Sequence, residues 1–453
     1  MSYITLGTSR NIIFSKTFEP PRYNVSHDYY SGAKISSQER QMSTVTLSKL
    51  SLKDYTEIVG EEEINEVLIL AEKLVGKSVV HLNSTSFGGG VSEILHRLVP
   101  LMKDVGLNAN WKVIKGDEEF FNVTKTFHNA LQGEKTSLSE EMKKIYLQHN
   151  ELNANLLNLD YDYVVIHDPQ PLAIINYQDE RKGKWIWRCH IDPSQPNEEF
   201  WSFLEPFLAN YDAFIFSLKK YVKSPLEKRN VTIITPSIDP LSDKNKPLPE
   251  SQILATLERY DVDPDRPILT QVARFDPWKD PLGVIDVYRK VKKRMPGVQL
   301  LLITSMAPDD PEGWVYYERT ARHAGEDYDI HLLTDLMGVG NFEVNAFQRA
   351  TDVALLKSIR EGFGMTVTES LWKRVPVVGG NVGGIPLQVI DGITGFLVST
   401  VEEAAEKTLY LLRNPGEAKE MGKRGREHVL RNFLITKHLK DYLSLFIQLS
   451  REN

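Results

Sequence analysis

Glu361 and Glu369 stand eight residues apart in the segment SIREGFGMTVTESLWKRVPVVGGNVGGIP. Between them, Gly362 and Gly364 permit a tight turn from a strand over 352–357 into a helix that starts near Met365. The first N–H groups of such a helix, those of Gly364, Met365 and Thr366, have no intrahelical partner. They point outward at the positive end of the dipole, a ready anion site. Glu361 precedes the turn and Glu369 falls about one turn inside the helix, so the two carboxylates address opposite ends of an extended ligand. The plainer alternative is a surface helix start whose acidic residues merely favour the dipole.

Arg274 and Lys279, in QVARFDPWKD, close a strand over 267–275. Ligands of open α/β sheets bind at strand carboxyl ends, and two cations five residues apart suit a diphosphate: Arg as a fork, Lys as a point charge. Alternatively they are loop ion pairs to Asp276 or Asp280. In SFGGG (86–90), Gly88, Gly89 and Gly90 let backbone approach a ligand, or simply form a tight turn; neither the dinucleotide spacing nor the Walker Lys-Ser/Thr is there. His190 in WRCHID closes another strand, facing a cleft or serving structure. HDPQP ends a strand with Asp168 and Gln170, groups suited to sugar hydroxyls. No His-Glu-x-x-His or dense carboxylate cluster argues for a metal site.

These residues need a frame. The chain has 453 residues, 54 Lys+Arg against 61 Asp+Glu, and one cysteine, Cys189. That length predicts two or three domains. The net charge of −7 argues against a nucleic-acid partner, although local phosphate pockets stay open. No disulfide can form within the chain, no apolar run would span a bilayer, and the N-terminus lacks a secretory pattern, so a cytoplasmic setting is expected. Short apolar runs alternate with helical stretches: 78–83, 108–114, 162–168, 184–190, 213–217 and 231–235. After the Pro-rich stretch 234–250, which reads as a linker, come 267–275, 298–304, 328–334, 352–357, 375–380 and 395–398. The pattern predicts an α/β fold of two Rossmann-like domains facing a central cleft, over 46–240 and 251–435. Residues 1–45 read as an extension, and a helix over 437–450 could pack on either domain, the tail 436–453 then crossing back.

Together these residues resemble the retaining GT-B glycosyltransferases of family four. The likeness runs over roughly residues 60–435. It rests on Glu361–Glu369 with EGFG, on Arg274 and Lys279 before them, and on GGIP (383–386) and DGITGFLV (391–398) after them. Within that family the strings HLNSTSFGGGVSEILH, FFNVTKTFHNALQG, HDPQP, WRCHID and RFDPWK look like the trehalose glycosyltransferring synthases. The resemblance implies transfer of glucose from a nucleoside diphosphate glucose to free glucose, making α,α-trehalose reversibly. It implies that Arg274, Lys279 and the helix start at Gly364–Thr366 hold the diphosphate. Glu361 would meet the donor glucose, Glu369 the ribose, His190 the transferred sugar, and the Gly88–Gly90 loop would close over the donor. Asn122, Asp168 and Gln170 are the expected acceptor contacts, and TDLMG (334–338) the resting place of the base. Where the family often has Lys-Gly, this chain has Lys279-Asp280.

No required cofactor is expected, with magnesium an activator at most; the expected partners are the nucleotide sugar and glucose or trehalose, with no nucleic acid and no membrane. Oligomeric state leaves no mark in the sequence, a homodimer being the commonest assembly. Rival expectations are a trehalose phosphorylase using phosphate in place of a nucleotide, a synthase of sucrose type with another acceptor, and a non-catalytic sugar or nucleotide sensor. A dehydrogenase fails for want of a dinucleotide fingerprint.

Overall fold

In the computed structural model, residues 43–178, 180–224, 226–306 and 311–451 are described. Of the 1–45 extension, residues 1–42 lie outside them. Residues 43–45 form an edge on the first sheet: Val113 N donates to Ser43 O at 2.9 Å, and Val45 N to Trp111 O at 3.0 Å.

Twelve strands make two six-stranded sheets. The first holds β1 Ser78–Asn83, β2 Asn108–Val113, β3 Tyr163–His167, β4 Lys184–Cys189, β5 Ala213–Phe216 and β6 Val231–Ile233. The second holds β7 Ile268–Val272, β8 Gln299–Thr304, β9 Ile330–Thr334, β10 Val353–Leu356, β11 Val377–Gly380 and β12 Gly395–Val398. All strand pairs are parallel. Strands such as VVIH and LLLIT are mostly apolar because both faces are covered, and β3 and β8 are buried end to end. Each strand expected from the sequence is present, its ends trimmed by up to three residues.

The order β2-β1-β3-β4-β5-β6 reverses direction between β1 and β3, and β12-β11-β10-β7-β8-β9 reverses between β7 and β10. At such a reversal the connecting loops diverge to either side and leave a crevice at the strand carboxyl ends. In the first sheet the glycine loop follows β1 and Asp168 follows β3. In the second, Arg274 and Lys279 follow β7 and Glu361 follows β10. Both sets therefore sit at the switch points.

The helices include α1 Glu61–Glu72, α2 Gly89–Asp104, α3 Glu118–Leu131, α4 Pro281–Lys292, α5 Met365–Trp372 and α6 Ile435–Arg451. The last resolves the choice its spacing left open. Ile435, Leu439, Tyr442, Leu443, Phe446 and Leu449 line one stripe, buried with Val79, Val165, Ile186 and Ile215 of the first sheet. Tyr163 Oη donates to Phe446 O at 3.0 Å.

The 234–250 stretch is more than a tether. Ser237, Asp239 and Asn245 are buried in it. Asp239 accepts from Tyr55 Oη at 3.0 Å and pairs with Arg97 at 3.1 Å. Ile234 and Ile238 are buried there too, in the cores of the two halves, so two apolar residues and three polar ones fix the stretch.

Candidate active site

Lys279 and Glu361 meet directly, Nζ to Oε2 at 2.5 Å. Asp276 accepts from Lys279 N at 3.0 Å, which caps the short helical turn Pro277–Lys279 and aims its side chain across to β10. Ser358 Oγ donates to the same Glu361 oxygen at 3.2 Å. Both partners are largely buried, with side chains 17% and 7% exposed, so the pair is weakly screened. Lys279 is thus not bridged to its neighbour Asp280. Arg274 is 65% exposed at its side chain and lies 3.4 Å from Asp276, one of the two loop partners considered for it. Its charge also reaches His128 of α3, whose imidazole is pushed down to about 4 by burial first and then by Arg274 and Lys125.

Asp280 explains the departure from Lys-Gly. It sits at φ 49°, ψ 53°, the left-handed region that glycine enters freely. The aspartate is held there by capping α4, accepting from Gly283 N at 3.1 Å, and by an ion pair with Lys357.

The turn carrying Glu361 is gripped from two sides. Tyr221 Oη, from the first half, donates to Gly362 O at 2.6 Å and to Glu361 O at 3.2 Å. From the second half, a Cβ on Gly383 would fall 1.6 Å from Glu361 O, so the GGIP glycine is needed for two backbones to pass. Gly364 caps α5, whose first residues are Met365 and Thr366. Gly90 lies against this helix start: a Cβ there would fall 2.5 Å from Met365 Sδ. Gly88 and Gly89, at positive φ, lead into α2. The glycine loop of one half therefore abuts the proposed anion site of the other. Phe87, at its tip, is 81% exposed.

Glu369 is placed differently. It is 1% exposed, held by Lys244 at 3.1 Å and accepting from Gln348 Nε2 at 3.3 Å. Lys244 also pairs with Glu93 of α2 at 3.0 Å. Burial works against the Lys244 charge, but the two carboxylates outweigh it and raise its pKa. Beside it, burial pushes Lys373 down to about 7, against the pull of Glu369.

On the first sheet, Asp168 Oδ1 accepts from His190 N at 2.8 Å, joining the ends of β3 and β4. Burial pushes this carboxyl up to about 7, opposed by the His190 N–H and the Arg188 charge. Gln170 is half-buried with an unpartnered Oε1. Asn122 is exposed on α3, and no contact among the described residues joins it to Asp168, Gln170 or His190. His190 O lies against Gly362, since a Cβ there would fall 3.4 Å away. In TDLMG, Asp335 accepts from Met306 N at 2.8 Å, while Leu336 and Met337 are exposed, an apolar face beside the β9 end.

Sequence reasoning missed Ser358, Tyr221, Lys244 and His128. Ser358 sits three residues before Glu361, but nothing in the local pattern marks the others. Among the described residues no group of three or more His, Cys, Asp or Glu side chains could hold a metal ion, and no helix is long and apolar enough to cross a membrane.

Comparison with known proteins adds independent findings. The family description "Trehalose synthase, N-terminal domain" matches residues 81–223, and "Glycosyl transferases group 1" matches residues 255–428. A protein named trehalose synthase from Thermococcus litoralis is 61% identical over 396 residues, 87% of this chain and 96% of its own length. A trehalose phosphorylase from Pleurotus pulmonarius is 28% identical over 77% of this chain, which spans 54% of that longer protein. Among solved structures, an α,α-trehalose 6-phosphate synthase from Burkholderia multivorans superposes with a TM-score of 0.66 at 15% identity. It covers 83% of this chain and 99% of its own, a likeness of fold alone.

Proposed function

The chain belongs to the trehalose synthase family of GT-B glycosyltransferases, and on that premise we propose that it moves glucose from UDP-, ADP- or GDP-glucose to free glucose, forming α,α-trehalose reversibly and with retention. The observation that carries this reading is the Lys279–Glu361 pair at the β7/β10 switch point. A phosphate-binding cation and a sugar-binding carboxylate share one contact there, as they must where the bond to be broken joins a sugar to a phosphate.

The chemistry asked of the protein is electrostatic. Retaining glycosidases place two carboxylates about 5–5.5 Å apart across the scissile bond. Here Glu361 is committed to Lys279 and Glu369 to Lys244, which leaves neither as an evident nucleophile. The departing phosphate takes the acceptor proton on the face where the acceptor attacks. Arg274, Lys279 and the N–H groups at Gly364–Thr366 stabilise the charge growing on that phosphate. Holding two sugars side by side supplies the entropic part, and closure of the glycine loop excludes water. Asp168 and Gln170, with Asn122, take the acceptor hydroxyls, and the apolar face at Leu336–Met337 receives the base. The setting is cytoplasmic, and no cofactor is required, magnesium being an activator at most.

A second reading, the phosphorylase, draws on Glu369: a buried carboxylate engaged by Lys244 and Gln348 is not offered to a ribose. Product analysis separates the two. UDP-, ADP- and GDP-glucose are each supplied with glucose and no added metal. Trehalose and free nucleoside diphosphate are expected. Their absence, with glucose 1-phosphate formed from trehalose and phosphate, would overturn the synthase reading.

A further inference from the structure

Behind His190 runs a chain of imidazoles that the proposed chemistry does not use. His190 Nε2 lies 2.8 Å from His167 Nδ1, and His167 Nε2 lies 2.9 Å from His81 Nδ1. His190 follows β4, His167 ends β3, and His81 lies inside β1, two residues before its end. His167 and His190 stack with centroids 5.1 Å apart and planes 14° from parallel. The far end of the chain is closed: His81 Nε2 is buried without a partner. In the same polar enclosure Arg188 is wholly buried, and none of its three guanidinium nitrogens has a partner.

We propose that His167 and His81 are positioning residues that lock His190 in its Nδ1–H tautomer, so that His190 offers the cleft a hydrogen-bond donor and no lone pair. This rests on the reading of His190 as a neighbour of the transferred sugar. A neutral imidazole has one N–H and one lone pair, and each ring in a chain must donate on one side and accept on the other. Two directions exist. If His81 carries its proton on Nε2, a buried N–H faces no acceptor. If it carries the proton on Nδ1, the buried atom is a lone pair, the cheaper orphan. His81 Nδ1–H then donates to His167 Nε2, and His167 Nδ1–H to His190 Nε2. The His190 proton is left on Nδ1. Burial of all three rings, with Arg188 close to His167 and His190, keeps them neutral as the argument requires.

The consequence is chemical. With Nε2 accepting from His167 and Nδ1 protonated, His190 has no free lone pair. It can orient a sugar hydroxyl or stabilise a phosphate oxygen, but it cannot take the acceptor proton.

The test is a long-range proton–nitrogen NMR correlation on the full chain with ¹⁵N-labelled histidine, His190 being assigned by its loss in His190→Gln. The expected spectrum has His190 protonated on Nδ1; an Nε2–H form in the native protein would overturn the proposal without any variant. His81→Phe removes the first donor and is expected to give a mixed His190 tautomer and a roughly tenfold fall in kcat, the worth of one hydrogen bond. His81→Asn, whose amide N–H stands near the Nδ1 position, is expected to restore both. An unchanged His190 tautomer in a folded His81→Phe would overturn the chain's role. Because the tautomer is read without turnover, failure of the trehalose assay and failure of this proposal are separate results.

Discussion

Lys279 Nζ and Glu361 Oε2, from loops that leave the neighbouring strands β7 and β10, lie 2.5 Å apart. Each is the other's charge partner and each is assigned a different part of the donor. Lys279→Ala removes the phosphate cation and strands a buried carboxylate. The expected loss in kcat is roughly 10²–10³-fold, the usual cost of one preorganised electrostatic group. Steady-state turnover with nucleotide sugar and glucose checks this; unchanged turnover would remove Lys279 from the phosphate clamp.

Gly383→Ala tests the backbone crossing beneath Glu361. The methyl would fall 1.6 Å from Glu361 O, and the residue sits at φ 55°, so the turn must move. A destabilisation of about 2–3 kcal/mol is expected, with kcat falling more than KM rises. Urea denaturation and steady-state kinetics measure the two effects.

Lys244→Met tests the bridge between Glu93 of α2 and Glu369 of α5. Glu369 would lose its ion pair while buried, keeping Gln348 and the neighbouring Lys373, which costs up to about 3–5 kcal/mol. The pair Lys182–Asp160 is open to solvent and screened by it, so Lys182→Met serves as the comparison. Equal denaturation midpoints for the two variants would sink the idea that Lys244 clamps the halves.

Stability is expected to fall as pH drops below about 6.5. Burial holds His81 and His438 down to about 3 and His128 to about 4, with His167 and His190 also well below the imidazole range. The unfolded chain protonates these rings near pH 6.5 and the folded chain does not, so the unfolded state binds more protons. Each such ring contributes a slope of about 1.4 kcal/mol per pH unit at most. Asp168, raised to about 7, acts the opposite way, since the folded state holds its proton where the unfolded state has lost it. Burial also lowers His331 and raises Asp239, Asp352 and Asp441, so six rings stand against four carboxyls, and the rings prevail between pH 6.5 and 5. Chemical denaturation at pH 7.5, 6 and 5 reads the slope, and a flat or inverted profile would contradict the burial of these histidines.

The strands and both crevices were legible because doubly covered parallel strands are mostly apolar, and because glycines and charges follow them in chain order. The seat of α6 was not legible, since an apolar stripe of that width fits either sheet. Asp280 looked like a departure and is one in side chain only: its backbone keeps the left-handed turn of a glycine. The resemblance made Glu369 a ligand for ribose, yet its salt bridge comes from Lys244, in a stretch read as a linker. The histidine chain was invisible for a topological reason. His81, His167 and His190 are far apart in sequence, and only the strand order β1-β3-β4 makes them neighbours.

The docking of α6 on the first sheet sets a timetable for biogenesis. The half translated first lacks a wall of its core until Ile435–Arg451 has left the ribosome. Until then the apolar stripe that receives Leu439, Leu443 and Phe446 stands open to chaperones and to other nascent chains. A stop codon shortly before residue 435 would therefore injure the amino-terminal half of the protein, more than three hundred residues upstream of the lesion at β1. A segment synthesised late completes the core of the half that precedes it.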